Sequence, residues 1–138
     1  MREVKLTLPM APDMEVVASQ AASALATFIG MSPDRVDEVR LAVVEACINA
    51  FEHSHSPDHR VDVTFCLLGD KEPDCLEIRV HDQGVGFSPA DVEEPRIEAK
   101  LKSGRKRGWG LKIIQGLMDE VSILSGSQGT TVVMSKAR

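Results

Sequence analysis

Apolar and polar positions change period several times along the chain, and each change marks an element. Val4-Lys-Leu-Thr-Leu8 alternates with period two and predicts a short strand, ended by Pro9. From Met14 to Ile29 the spacing becomes helical, with an Ala-rich middle suited to close packing. Asp13 stands where it can cap that helix and Gly30 where it can close it. Ser32-Pro33 opens a second helix, with Ser as N-cap and Pro in the first helical position, running to about His53. Arg60–Leu68 is rich in β-formers and Cys75–Val80 alternates, with the polar turn residues Gly69–Asp74 between them, which predicts an antiparallel hairpin. After His81-Asp-Gln-Gly-Val-Gly-Phe87 comes a highly charged, poorly patterned stretch, approximately residues 88–107. In a compact domain a loop of that length is an active-site lid or a disordered segment. Helical spacing resumes over Gly108–Met118, and Glu120–Ser125 and Gly129–Ser135 end the pattern as two strands around a Gly-Ser-Gln-Gly turn. The order βααββ(loop)αββ, without repeat or linker, predicts one α+β domain over residues 1–138, an antiparallel-rich sheet with helices on one face.

The second helix carries an unusual pattern. At 100° per residue, Glu38, Glu45, Asn49 and Glu52 fall on one narrow stripe. Val39, Ala42, Val43, Ala46, Cys47 and Ala50 flank it on one side, and Leu41, Val44, Ile48 and Phe51 on the other. Polar groups between two apolar flanks suggest the floor of a cleft, where desolvation is unfavourable unless a ligand or metal satisfies them. A carboxylate with a neutral amide oxygen one turn away suits a hard cation such as Mg²⁺, leaving the carboxylate free to act as a base. The plainer reading is a helix with polar residues near an edge.

Charge and composition narrow the function classes. The formal net charge is −5 and the sequence pI about 5.3, which argues against a nonspecific binder of nucleic acid or of an anionic membrane. The start, Met1 to Pro9, lacks an apolar core of signal-peptide length, and no run reaches the roughly 18 apolar residues of a membrane span. Cys47, Cys66 and Cys75 are scattered and odd in number, as expected of buried reduced thiols in a cytoplasmic protein.

Three further groups could carry chemistry. Asp82-Gln-Gly-Val-Gly86 ends a strand: its carboxylate can accept a hydrogen bond from an exocyclic amine such as that of adenine, and Gly84 and Gly86 allow close backbone approach to a planar ligand. Alone it is weak, and more often an ordinary turn. Arg107-Gly-Trp-Gly-Leu111 leads into a helix whose exposed N–H groups, with about half a positive charge from the helix dipole, make an anion site. Lys102, Arg105, Lys106 and Arg107 add cations suited to a triphosphate, although a solvated basic loop has the same composition. The order Gly-Lys-Ser/Thr of a Walker A loop is missing, and no βαβ unit surrounds the glycines as in a dinucleotide fold. Trp109 either stacks on a ligand or anchors the helix start. His53, His55 and His59 have no matching ligand set, so a dedicated histidine metal site is not expected.

Together, in this order, Glu45-x-x-x-Asn49 on a helix, Asp82-x-Gly-x-Gly86 after a strand, Gly108-x-Gly110 before a helix and Gly129-Thr130 before the last strand are much more specific than any one of them. Over essentially its whole length the chain resembles the ATP-binding domain shared by DNA gyrase, the large heat-shock chaperones, sensor histidine kinases and the mismatch-repair ATPases, the Bergerat fold. In its small single-domain form it is similar to the bacterial anti-sigma factor serine kinases, through Glu45-Ala-Cys-Ile-Asn-Ala50, Arg107-Gly-Trp-Gly-Leu-Lys-Ile-Ile-Gln-Gly-Leu-Met-Asp-Glu-Val121 and Gly129-Thr-Thr-Val-Val-Met134.

The resemblance implies a two-layer α/β sandwich with an antiparallel-rich mixed sheet and an ATP lid. It implies ATP and Mg²⁺ as cofactors, with Asn49 holding the metal and Glu45 taking the proton from the attacking hydroxyl. Asp82 would read the adenine amino group, helped by Thr130 through a water, while Gly84 and Gly86 shape the pocket and hinge the lid. Gly108 and Gly110, with Trp109 and Leu111 beside them, would cradle the phosphates. Lys106 or Arg107 would neutralise the γ-phosphate, and His53 would contact phosphate or metal-bound water. Such positioning is most of what phosphoryl transfer asks of a protein.

Two functions follow. The first is a protein serine kinase that binds a sigma factor and phosphorylates a serine on an anti-anti-sigma STAS-domain partner, with a homodimer possible and no direct contact to nucleic acid or membrane. The second is a non-catalytic nucleotide- or protein-binding switch module of the same fold. Retention of both Glu45 and Asn49 favours the kinase, since a pure binder has little need of a base.

Overall fold

The computed structural model describes residues 2–53, 59–83, 109–126 and 129–138, except for the side chains of His53 and Trp109. The strands are β1 (Arg2–Pro9), β2 (Arg60–Leu68), β3 (Cys75–Asp82), β4 (Glu120–Gly126) and β5 (Gly129–Ala137). The helices are α1 (Met14–Phe28), α2 (Pro33–His53) and α3 (Trp109–Leu117). The element order matches the one that the periodicity predicts. The lid assigned to residues 88–107 lies outside the described residues.

The strands form one sheet in the order β1-β2-β3-β5-β4. Every described pairing is antiparallel, so the sheet lacks the parallel pair that a mixed sheet would have. The reason is the last hairpin: β5 returns between β3 and β4, separating the two strands that run in the same direction. Pleating places alternate residues on the helix side, and the registers line them up in rows across the sheet. One end row is Arg2, Leu67, Leu76 and Lys136. The two middle rows, Val4-Phe65-Ile78-Met134-Val121 and Leu6-Val63-Val80-Val132-Ile123, are wholly apolar. The far row is Leu8, Val61, Asp82, Thr130 and Ser125. Polar side chains thus face the helices only at the two ends of the sheet. Burial of the middle rows, apart from the exposed Val4 on the edge strand, against Ala18, Ala22, Ala26, Val39, Ala42, Val43, Ala46 and Ile114 forms the core.

Central in the helix layer is α2, which contacts both α1 and α3. Its start is as expected: Arg35 N–H donates to Ser32 Oγ at 3.4 Å, and Pro33 opens the helix. The start of α1 differs. Asp13 adopts φ 73° and its side chain makes no cap hydrogen bond. In that left-handed conformation the backbone performs the closure, with Met14 N–H donating to Ala11 O and Val16 N–H to Asp13 O. The two apolar flanks of α2 are also unequal. Val39, Ala42, Val43, Ala46, Cys47 and Ala50 are buried, whereas Leu41 is 46 % exposed and Val44, Ile48 and Phe51 are half-buried. Among the described residues a single helix layer leaves one flank of α2 without a second layer above it.

Lys136 is only 4 % exposed. Its Nζ donates to Leu117 O, the last carbonyl of α3, and to Glu38 Oε2 of α2 at 3.3 Å, with Asp119 Oδ1 at 4.0 Å. A cation there satisfies a carbonyl left open by the helix end and suits the negative end of the dipole. Lys136→Met keeps the buried stem but removes these donors. The expected loss is about 1–2 kcal/mol, read as a lower denaturant midpoint; an unchanged midpoint would mean that the lysine contributes packing alone.

Candidate functional site

Two contacts orient the helix layer on the sheet. Arg35 Nη1 donates to Ala137 O at 3.1 Å and Glu38 reaches Lys136, so α2 begins at the Lys136 end. It finishes at the opposite end, because only residues 54–59 separate His53 from Arg60, the neighbour of Val61 in the far row. From Glu38 to Asn49 the helix rises about 16 Å, comparable with the span of the four rows. The other helix runs back: Leu117, the last residue of α3, bonds Lys136, so its first turn, Trp109 to Leu111, also lies toward the far row. Asn49, the start of α3, and the row Asp82-Thr130-Ser125 therefore converge at one end of the molecule.

That end is where the buried polar groups collect. Among the described residues the buried polar or charged side chains are Ser19, Asn49, Asp82, Thr130 and Lys136. Ser19 bonds the carbonyl of Val16 within its own helix, and Lys136 is the strut at the other end. The remaining three are residues that the sequence analysis assigns to ligand binding: Asn49 at 5 % exposed, Asp82 at 7 % and Thr130 at 3 %. A carboxylate, an amide and a hydroxyl buried at one end make a convergent polar cluster of the kind that suits a polar ligand. Glu45 is half-buried one turn before Asn49, and Glu52 continues the stripe, its carboxyl pushed up by partial desolvation. Gly110 and Leu111 are buried in the first turn of α3.

Asp82 and Thr130 are direct cross-strand partners. Their approach requires Gly129, whose φ is +113°: a Cβ there would stand 1.9 Å from Asp82 O and 2.9 Å from Gln83 Cα. Thr130 Oγ1 in turn lies 3.2 Å from Ser125 Oγ. Ser125 and the steric demand on Gly129 are absent from the sequence-based list. The alternation of β4, which puts Val121, Ile123 and Ser125 on one face, is the signal that would have singled out a hydroxyl at the end of an apolar series. His53 closes α2, as expected, but its side chain and that of Trp109 are not described. Gly84, Gly86, Lys106, Arg107 and Gly108 lie outside the described residues. Cys47 is buried in the core, where loss of water pushes its thiol up to about 12, so it stays neutral and takes no part in the site.

Residues 8–136 match the model of the histidine kinase-like ATPase domain. The chain belongs to that family. Among ATPase-domain relatives, it is 32 % identical to an anti-sigma F factor of Oceanobacillus iheyensis, covering 97 % of this chain and 91 % of the relative. It is 30 % identical to the serine-protein kinase RsbW of Bacillus velezensis, covering 96 % of this chain and 84 % of that one. Among solved structures it superposes on the RsbU and RsbW domains of a Mycobacterium tuberculosis protein with a TM-score of 0.71 at 20 % identity. That match covers 99 % of this chain, which spans about a third (32 %) of the mycobacterial one. A blue-light activated histidine kinase of Erythrobacter litoralis gives a TM-score of 0.57 at 18 % identity, covering 94 % of this chain and 61 % of that one. The ATPase domain of this family is thus the fold seen here, and no described helix is long and apolar enough to cross a membrane.

Proposed function

We propose that this protein is an ATP-dependent protein serine kinase and anti-sigma factor. It holds a sigma factor and phosphorylates a serine on an anti-anti-sigma partner of the STAS type. The observation that carries the proposal is the convergence of buried Asn49, Asp82 and Thr130 with the first turn of α3. Support also comes from nearly full-length similarity to an anti-sigma F factor and to RsbW serine-protein kinases.

The residues present fit a purine nucleotide. The Asp82 carboxylate, beside the buried Thr130 hydroxyl, offers acceptors to an exocyclic amine, and the missing Cβ of Gly129 lets the two strands close on each other. The N–H groups at the start of α3 suit the phosphates. The amide oxygen of Asn49 would hold Mg²⁺, which when bound offsets phosphate charge. Glu45 takes the proton from the serine hydroxyl of the partner as its oxygen bonds the γ-phosphorus and the bond to the β-phosphate oxygen breaks, releasing ADP. In this reading Lys106 or Arg107 neutralises the γ-phosphate, Gly84, Gly86 and Gly108 line the nucleotide, His53 contacts phosphate or metal-bound water, and Trp109 and Leu111 flank the cradle.

Calorimetric titration of ATP and ADP, each with and without Mg²⁺, tests the proposal. Magnesium-dependent binding is expected, weakened about 10- to 100-fold by Asp82→Asn, the range for losing one hydrogen bond to a charged group. Normal affinity in that variant would remove the adenine assignment. Failure of the folded wild-type protein to bind either nucleotide would leave a nucleotide-free adaptor of the same fold, with Glu45 and Asn49 as structural polar groups.

A further inference from the structure

We propose that Ser125 is a specificity-determining positioning residue, which fixes the direction of the Thr130 hydroxyl proton and so selects adenine over 6-oxopurines. This rests on the reading of Asp82 and Thr130 as the base-recognising pair. Ser125, Thr130 and Asp82 are successive cross-strand neighbours on the helix side of the sheet, at the end where the site converges. The two hydroxyls are 3.2 Å apart, and Thr130 is only 3 % exposed.

A hydroxyl has one proton and two lone pairs. In one setting Thr130 donates to Ser125 and presents only lone pairs to the site. In the other Ser125 donates to Thr130, and the Thr130 proton is free to point into the site or to orient a bridging water. The Watson–Crick edge of adenine presents a donor, the 6-amino group, beside an acceptor, N1. Its complement is an acceptor beside a donor. Ionised Asp82 supplies only acceptors, so the donor must come from Thr130 or from the water that it orients. Hypoxanthine and guanine present the reverse, an oxygen at position 6 beside an N1–H: the first setting meets the N1–H, while the Asp82 carboxylate still opposes the oxygen.

Ser125 stands on the edge strand and is exposed. Solvent can hydrogen-bond its lone pairs there, so Ser125 is able to give its proton to Thr130. In that setting the more buried Thr130 accepts from Ser125 and donates to the site. Without Ser125 the Thr130 hydroxyl rotates freely and can accept from an N1–H as readily as it donates to N1.

The test compares ATP with inosine triphosphate, which has the 6-oxo edge without the 2-amino group of guanine, by competition calorimetry on the full chain. Wild type, Ser125→Ala, Ser125→Thr and Asp82→Asn are measured at a temperature where each is folded. Ser125→Ala is expected to lower the preference for ATP over inosine triphosphate about fivefold, the range for one hydrogen bond. Ser125→Thr, which retains the hydroxyl, is expected to restore most of it. An unchanged ratio in Ser125→Ala, or equal weakening of both nucleotides, would make Ser125 merely structural and overturn the proposal. A shift in Ser125→Thr as large as in Ser125→Ala would do the same, by showing that shape rather than the hydroxyl matters. If Asp82→Asn leaves ATP affinity unchanged, the base-recognition reading itself falls. If Asp82→Asn weakens ATP while Ser125→Ala leaves the ratio intact, only the role of Ser125 falls.

Discussion

Glu45→Gln is expected to slow phosphoryl transfer to the serine substrate by about 10²- to 10⁴-fold, the usual contribution of a general base. ATP affinity should stay within about threefold of wild type. The carboxamide has the same shape and one oxygen acceptor, so it keeps the local structure of α2 around the half-buried position. It cannot accept a proton at neutral pH. In the proposed reading binding rests on other groups, namely Asp82 and Thr130 at the base, Asn49 through the metal, and the start of α3 at the phosphates. A group that acts only in the transition state lowers turnover and leaves ground-state binding nearly unchanged. Single-turnover transfer and calorimetry on the same preparation separate the two. Undiminished transfer would place the base elsewhere, and loss of nucleotide binding would make Glu45 a metal ligand rather than a base.

Gly129→Ala is expected to have the largest effect on stability, about 3 kcal/mol or more from positive-φ strain together with overpacking. At φ +113° an L side chain is strained whatever space surrounds it. Here the added Cβ would also stand 1.9 Å from the Asp82 carbonyl oxygen and 2.9 Å from Asp82 C and Gln83 Cα. All three obstacles are backbone, so no side-chain rotation relieves them. The start of β5 must move away from the end of β3, opening the Asp82–Thr130 pair. Reduced thermal stability and weakened ATP binding are therefore expected together, the latter measured well below the new midpoint. Gly116 is the control: a Cβ there meets nothing within 4 Å, and Gly116→Ala in the last turn of α3 should stabilise by at most roughly 0.5–1 kcal/mol. A stable Gly129→Ala protein with full ATP affinity would show that the two strands do not need this close approach.

Much of the fold is legible from local patterns. The boundaries of β2 and α2 agree, and the other elements differ by one or two residues at an end, because strand and helix periods are properties of neighbouring positions. The departures arise where a side chain has a second partner or a second possible role. Asp13 is a good capping residue by type, yet its left-handed backbone leaves the side chain unused as a cap. Leu41 belongs to an apolar flank by spacing, yet among the described residues no second helix layer covers it.

By itself the sequence singled out the candidate residues: Glu45 and Asn49 one turn apart on one helix face, Asp82 at the end of an alternating strand, and Thr130 at the start of another. Only the tertiary structure decided that these ends meet. Strand register and helix direction depend on contacts between residues far apart in the chain, such as Arg35 with Ala137, Glu38 with Lys136, and Ser125 with Asp82 through Thr130. Lys136 illustrates the difference most clearly. In the sequence it is one lysine near the end of a strand, and in the fold it is a buried cation that ties β5 to both α2 and the last carbonyl of α3. Local periodicity carries no information about such partners, because burial and pairing are set by which surfaces the whole chain brings together.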